Sequence, residues 1–73
     1  MATIRNEIRR LRFEHGEMTQ QDLAAKIKLT RQTVNAIELG KYFPSLEAAF
    51  RIAAVFGKPL ESVFHYSEDE GAR

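Results

Sequence analysis

The chain has 73 residues, with 11 Lys and Arg, 10 Asp and Glu, a net charge of +1 and no cysteine. This length corresponds to one small domain with a marginal core, so a dimer would be a natural source of added stability. The composition excludes disulfides and thiolate metal sites, and neither a membrane-spanning apolar run nor a signal peptide is found. We therefore expect a cytoplasmic protein without a cofactor, a metal or a membrane partner.

The charge is unevenly distributed along the chain. Residues 1–58 contain ten Lys and Arg against six acidic residues, whereas residues 59–73 contain one Arg against four. A basic body with an acidic end is expected when one face binds phosphate, but a solvated surface of mixed charge explains these counts about as well. We predict one domain over residues 1–66 and a disordered acidic tail over 67–73.

The first apolar pattern predicts a helix over residues 3–15. Ile4, Ile8 and Leu11 recur at helical spacing, and Gly16 ends the pattern. Four arginines lie on the same segment. Such arginines can form a row that binds phosphate, but they more often form a solvated face with partners such as Glu14.

Two short helices with a tight connection are predicted next, at about 20–27 and 31–39. Thr19 and Thr30 are suitable N-caps, and Asp22 completes a weak version of the capping box. Gly40 follows the second of these helices, as expected at a helix C-terminus. The apolar positions that face inward are Leu23, Ala24, Ile27, Val34 and Ile37.

The remaining segments predict a fourth and a fifth helix. Ser45 caps the segment 46–56, and Pro59 begins a short last helix. The fourth helix is strongly apolar, with a main face predicted at Leu46, Ala49, Phe50, Ala53 and Phe56 and broadened by Ile52 and Val55. Because no segment alternates with the period of a strand, we predict an all-α fold of five helices.

The third helix carries polar residues that a protein core does not require. Between its apolar positions lie Arg31, Gln32, Thr33 and Asn35, whose side chains suit hydrogen bonds to base edges. Two helices joined by a short turn, the second polar at its start, form the arrangement of a DNA-binding helix-turn-helix.

The sequence resembles the Xre/Cro-like repressor family over about residues 4–64. The matching segments are MTQQDLA (18–24), TRQTVNAIELGK (30–41) and PSLEAAFRIAAVFG (44–57). The resemblance implies a five-helix lambda-repressor-like domain that binds double-stranded DNA with its third helix in the major groove. It also implies a homodimer on a two-fold operator, and repression is the default expectation.

The resemblance assigns further roles. Arg12 and Glu38 match a pair that forms a structural salt bridge in similar proteins, and Gln20 matches a glutamine that holds a backbone phosphate. The chain departs from the family at Lys28, where glycine is usual, and in an extra residue within HGEMTQ. A left-handed backbone at Lys28 would cost roughly 1 kcal/mol.

The candidate base contacts follow from side-chain chemistry. Arg31 suits guanine O6 and N7 but could equally bind phosphate, Gln32 and Asn35 suit adenine N6 and N7, and the Thr33 methyl could meet the thymine methyl.

The candidate phosphate contacts flank these residues. Thr19 and Gln20 stand at the start of the second helix, where free N–H groups favour an anion. Lys41 and Tyr42 follow the third helix, although Tyr42 could instead pack within the loop beside Phe43.

The last apolar residues of the domain have two possible roles. Some of the apolar residues there must complete the core, and the remainder could form a dimer patch: Leu60, Val63, Phe64 and Tyr66. An enzyme is not expected, because two isolated histidines and no phosphate loop offer no catalytic site. The alternative is a protein-interaction module or antitoxin-type protein with an unidentified protein partner, but such a helix should expose apolar residues rather than polar ones.

Overall fold

The structure is a computed structural model and describes residues 2–68. Its elements in chain order are β1 (Ala2–Asn6), α1 (Ile8–Glu14), α2 (Gln20–Ile27), α3 (Arg31–Glu38), α4 (Leu46–Phe56), α5 (Leu60–Val63) and β2 (Phe64–Glu68). Within this part of the chain, no helix has both the length and the apolarity needed to cross a membrane.

The five helices are present, but the prediction of an all-α fold is wrong because the two outer segments form a sheet. β1 and β2 pair antiparallel, with Ile4 opposite Tyr66 and Asn6 opposite Phe64. Phe64 and Tyr66 alternate with polar neighbours, which is the period of a strand. Over five residues this alternation is too short to distinguish from the end of a helix.

The first helix is shorter than predicted because Asn6 ends the strand and starts the helix. Its Oδ1 accepts the N–H of Ile8 at 3.1 Å, and its Nδ2 donates to the carbonyl of Ile37 at 3.0 Å. An asparagine side chain that satisfies an initial helical N–H favours a helix start at this point. Ile4 therefore lies in the sheet, and Asn6 ties the junction of β1 and α1 to the end of α3.

All five helices contribute to the core. The cluster of buried side chains consists of Ile8, Leu11, Leu23, Ala24, Ile27, Val34, Ile37, Ile52, Ala53, Phe56 and Val63. The predicted inner face of α4 is partly wrong, because Leu46 is 67% exposed and Phe50 is 54% exposed. Ala48, which was not predicted to face inward, is buried, and Ile52, predicted to broaden this face, lies in the core. A helix that is apolar on most sides does not reveal its buried face by periodicity alone.

The predicted caps define α3 and α4. Thr30 and Ser45 accept the N–H groups of Thr33 and Ala48, each at 3.1 Å. Gly40 follows α3 with φ of +76°, a conformation that residues with a Cβ adopt only at a cost. These local signals explain why both helices begin where the sequence predicted.

The end of the described chain differs from the predicted tail. The fifth helix ends at Val63, and β2 continues through Ser67 and Glu68, the first two residues of that predicted tail. The other tail residues, 69–73, lie outside the described residues.

The turn between α2 and α3 retains the left-handed backbone expected there. Lys28 has φ of 63° and ψ of 40°, and the N–H of Leu29 donates to the carbonyl of Ala24 at 3.0 Å. This backbone conformation brings a Cβ close to a carbonyl oxygen, at a cost of about 1 kcal/mol for a residue other than glycine.

Replacing Lys28 by glycine should therefore stabilise the domain. We expect Lys28→Gly to raise the free energy of unfolding by about 0.5–1 kcal/mol, because relief of the strain exceeds the greater entropy of the unfolded glycine chain. Urea denaturation measures the effect. Lys28→Ala is the matched control, since it removes the charge but keeps the Cβ. Equal stability of the two variants would contradict the assigned strain.

Candidate nucleic-acid interface

The polar residues of α3 form its outer face. Val34 and Ile37 are each 1% exposed and hold the helix on the core, whereas Arg31, Gln32 and Asn35 are exposed. This division follows from helical geometry, because residues three apart share one face. α3 therefore presents two amides and a guanidinium to the outside.

Thr33 is less accessible to a binding partner than Arg31, Gln32 and Asn35. Its side chain is half-buried, and its hydroxyl lies 2.9 Å from the hydroxyl of Thr30. The backbone N–H of Thr33 also donates to that Thr30 oxygen. One hydrogen bond of the Thr33 hydroxyl is thus used within the cap of α3, and Thr33 has less hydrogen-bonding capacity to offer to a base.

The start of α2 is closed by a full capping box. The Thr19 hydroxyl accepts the N–H of Asp22 at 3.0 Å, and the Asp22 carboxylate accepts the N–H of Thr19 at 3.2 Å. The backbone and side-chain hydrogen bonds from Thr19 lower the pKa of Asp22. A charged carboxylate thus occupies the Thr19 N–H, and a phosphate would have to use the other N–H groups of the first turn.

Gln20 bridges α2 and α3. Its Nε2 donates to Asn35 Oδ1 at 3.0 Å and to Glu38 Oε1 at 3.1 Å. The side chain of this predicted phosphate ligand is therefore hydrogen-bonded to two residues of α3. The sequence did not indicate this contact, because it depends on how the two helices cross.

The expected ion pair between Arg12 and Glu38 is present and buried. Arg12 Nε lies 2.6 Å from Glu38 Oε2, and Nη2 donates to Oε1 at 3.1 Å. Arg12 Nη1 also donates to the carbonyl of Met18 at 2.7 Å. The two side chains are 9% and 7% exposed. This two-pronged geometry joins α1, the loop before α2 and the end of α3.

The other arginines of α1 have separate surroundings. Arg10 binds Glu14 at 2.8 Å and Glu7 at 3.2 Å, as expected for a solvated helix face. The guanidinium of Arg9 instead lies 5.8 Å from the ring centre of the exposed Phe13. Arg9 and Phe13 line a concavity of about 400 Å³ together with Gln20, Asn35 and Glu38. Arg9 is thus a cation beside α3 whose position the sequence did not single out.

Lys41 and Tyr42 follow the Gly40 turn after α3 and are both exposed. The chain turns at Gly40, where the N–H of Lys41 donates to the carbonyl of Ala36 at 2.9 Å. This bond reverses the chain just beyond the end of α3. Phe43, expected to pack within the loop, is 56% exposed.

The residues of the predicted dimer patch differ in how far they are exposed. Val63 is fully buried in the core and contributes nothing to a surface, so its inclusion in the patch is wrong. Leu60 and Phe64 are half-buried and Tyr66 is 63% exposed. We use the term apolar groove for the depression of about 280 Å³ lined by Ile4, Phe43, Pro44, Leu46, Ala49, Leu60 and Phe64.

Within residues 2–68, no group of three or more His, Asp or Glu side chains could hold a metal ion. Two capped helices, α2 and α3, pack against each other, the small residue Ala24 of the first is buried, and the second presents a polar face. This geometry defines a helix-turn-helix protein.

Comparison with known proteins identifies the family. A helix-turn-helix family model matches residues 8–63, which is most of the chain. The chain therefore belongs to the Xre/Cro-type helix-turn-helix family, whose members are DNA-binding transcriptional regulators.

Several relatives align over nearly their full length. An uncharacterized HTH-type transcriptional regulator of Methanocaldococcus jannaschii is 48% identical, over 92% of this chain and 100% of its own. One from Archaeoglobus fulgidus is 42% identical, over 92% and 94%. The control protein C.MunI of a Mycoplasma species is 35% identical, over 89% and 88%.

Loss of Glu38 should destabilise the domain strongly. We expect Glu38→Ala to lower the free energy of unfolding by about 3 kcal/mol, because it leaves the Arg12 guanidinium buried without its counter-ion. The control is Glu14→Ala, which breaks the exposed pair with Arg10 and should lower the free energy of unfolding far less, because solvent screens that pair. Chemical denaturation distinguishes the two. Similar losses in both variants would show that the buried pair is not a major support of the fold.

Proposed function

We propose that this protein is a sequence-specific repressor that binds a two-fold DNA operator as a homodimer, with α3 in the major groove. The observation that carries the proposal is the outer face of α3. Arg31, Gln32 and Asn35 are exposed there, while Val34 and Ile37 fix the helix on the core. The major groove is wide enough for such a helix and offers donors and acceptors that these side chains match.

The base contacts are assigned to the exposed part of α3. Gln32 is the principal candidate, because its amide offers both a donor and an acceptor and residues 2–68 hold neither in a hydrogen bond. Arg31 stands at the first position of α3, from which a guanidinium suits either guanine or a phosphate. Asn35 is a third reader, and the Thr33 methyl suits contact with thymine.

Phosphate contacts are assigned to the two ends of this surface. Gln20 and Thr19 lie at the start of α2, where first-turn N–H groups and the helix dipole favour an anion. Lys41 and Tyr42 lie beyond the end of α3. Contacts on both sides would fix the register of α3 without selecting a sequence.

The apolar groove is assigned to the partner subunit. Leu46, Phe43 and Ile4 are exposed by 67%, 56% and 38%, more apolar surface than scattered single residues account for. Phe43 belongs to the same loop as Lys41 and Tyr42, so a partner in the groove would lie next to the proposed DNA surface. Pairing about a two-fold axis there would present two copies of α3 to one side of a duplex.

Repression is expected from the small size of the dimer and from the stretch of promoter DNA that it would cover. A dimer bound across two successive major grooves covers promoter DNA that polymerase would otherwise occupy. The alternative function as a protein-interaction module is less well supported. A helix that binds a protein groove exposes apolar residues at helical spacing, whereas the outer positions of α3 are polar.

Selection from a randomised duplex library at about 150 mM salt tests the proposal. We expect an enriched inverted repeat whose half-sites are about 10–10.5 base pairs apart, centre to centre. Weak, salt-sensitive binding to every sequence, with no enriched motif, would overturn sequence-specific binding and favour the interaction module.

The same selection separates base contacts from phosphate contacts. Gln32→Ala should lose discrimination at one position of each half-site, by about 1–3 kcal/mol. Lys41→Ala should weaken binding to all sequences and reduce the salt slope by about one. Lys58→Ala is the charge-matched control, since Lys58 follows the opposite end of α4 from the Lys41 loop. If Gln32→Ala and Lys41→Ala weakened every sequence equally, the division of roles would be wrong.

The apolar groove should control association. We expect the wild type to sediment as a dimer at micromolar concentration and Leu46→Glu to be a monomer, because the variant buries an unpaired carboxylate at the interface. Ala25→Glu introduces the same group on the exposed side of α2 and should remain dimeric. A wild-type monomer, with and without DNA, would remove the dimer from the proposal.

A further inference from the structure

Three polar side chains form a directed hydrogen-bond chain at the surface of α3. Gln20 Nε2 donates both to Glu38 Oε1, at 3.1 Å, and to Asn35 Oδ1, at 3.0 Å. Glu38 is in turn paired with Arg12. These hydrogen bonds therefore connect the buried Arg12–Glu38 ion pair to the exposed residue Asn35 of α3.

The chemistry of these groups determines which atom donates and which accepts in each hydrogen bond. The Glu38 carboxylate, held by a guanidinium, can only accept hydrogen bonds. Gln20 must therefore turn its NH₂ group, and not its oxygen, toward Glu38. The same nitrogen reaches Asn35, so Asn35 must offer its oxygen. Both hydrogens of the Gln20 amide are then used within the protein.

We propose that Gln20 is a specificity-determining residue, because it fixes the orientation of the Asn35 amide on α3. With Oδ1 of Asn35 turned toward Gln20, the NH₂ group of Asn35 is the part presented to a partner. This inference rests on the proposed function, since it requires α3 to meet base edges. It assigns to Asn35 the role of a donor and to Gln20 that of its positioning residue.

The consequence is a preference for base acceptors at one position of the half-site. Guanine offers two acceptors in the major groove, N7 and O6, and thymine offers O4. A two-bond contact with adenine needs an asparagine oxygen that accepts the N6 hydrogen. That oxygen already accepts a hydrogen bond from Gln20 and would have to accept the N6 hydrogen with its other lone pair, whereas guanine requires only the free NH₂ group of Asn35. Asn35 should thus favour guanine over adenine, in contrast to the adenine contact that its side chain alone suggested.

Duplex selection with matched variants tests this assignment. Asn35→Ala identifies the position that Asn35 contacts, because only that position should lose its preference. Gln20→Met keeps a long unbranched side chain and removes the amide, which releases Asn35 to turn over. We expect the adenine-to-guanine ratio at that position to rise about tenfold in Gln20→Met. Gln21→Met, at the exposed neighbouring residue of α2, is the control and should leave the motif unchanged.

Two results would overturn the inference. One is a wild-type preference for adenine at the Asn35 position. The other is a Gln20→Met protein that binds all sequences more weakly with the preference at that position unchanged, which would make Gln20 a phosphate contact alone.

A measurement on the free protein separates failure of this inference from failure of the proposed function. In ¹⁵N-labelled wild type, the side-chain amide protons of Gln20 should resonate downfield of those of Gln21, and Asn35→Ala should move one of them upfield. Coincident Gln20 and Gln21 signals would overturn the hydrogen-bond chain itself. If the Gln20 signals lie downfield but the protein selects no DNA motif, the hydrogen bonds of Gln20 are supported. Both DNA recognition and the specificity role of Gln20 are then rejected.

Discussion

The buried ion pair between Arg12 and Glu38 is the interaction on which the arrangement of helices depends. Its two prongs join α1 to the end of α3, and a third bond from Arg12 reaches the Met18 carbonyl in the loop before α2. In a domain of this size the hydrophobic core is small, so a polar contact between three segments has a large share in defining their relative positions. Because a buried ion pair is stable only in a favourable geometry, this pair restricts the position of α3 relative to α1.

The same carboxylate also organises the surface that faces outward. Glu38 accepts one hydrogen bond from Gln20, whose amide continues to Asn35. The buried ion pair and the candidate recognition residue Asn35 thus belong to one hydrogen-bond network. The Glu38 carboxylate determines which way the Gln20 amide is turned, and Gln20 in turn determines the orientation of the Asn35 amide. Electrostatic support of the fold and chemical selectivity of the surface are then hard to alter independently, because residues in one network couple energetically.

The sequence predicted α2, α3 and α4 closely because each has its own caps and a local apolar pattern. The β-strands could not be predicted in this way, since the pairing of Ile4 with Tyr66 joins residues from opposite ends of the domain. The inner face of α4 was misassigned because Leu46 and Phe50 are as apolar as the residues that are buried. Within the candidate site, the polar face of α3 could be predicted from residue types, whereas the Gln20 bridge required the crossing geometry of two helices.

The β1–β2 sheet has a consequence for the order of folding. Ala2 lies opposite Glu68, so the pairing closes nearly the whole chain into a single loop. Closing such a loop costs conformational entropy, and a two-stranded ribbon alone is only marginally stable in water. The helices must therefore bring the two strands together before they pair. By the same reasoning, we expect the strands to separate before the packing of α2 on α3 is lost when the domain opens.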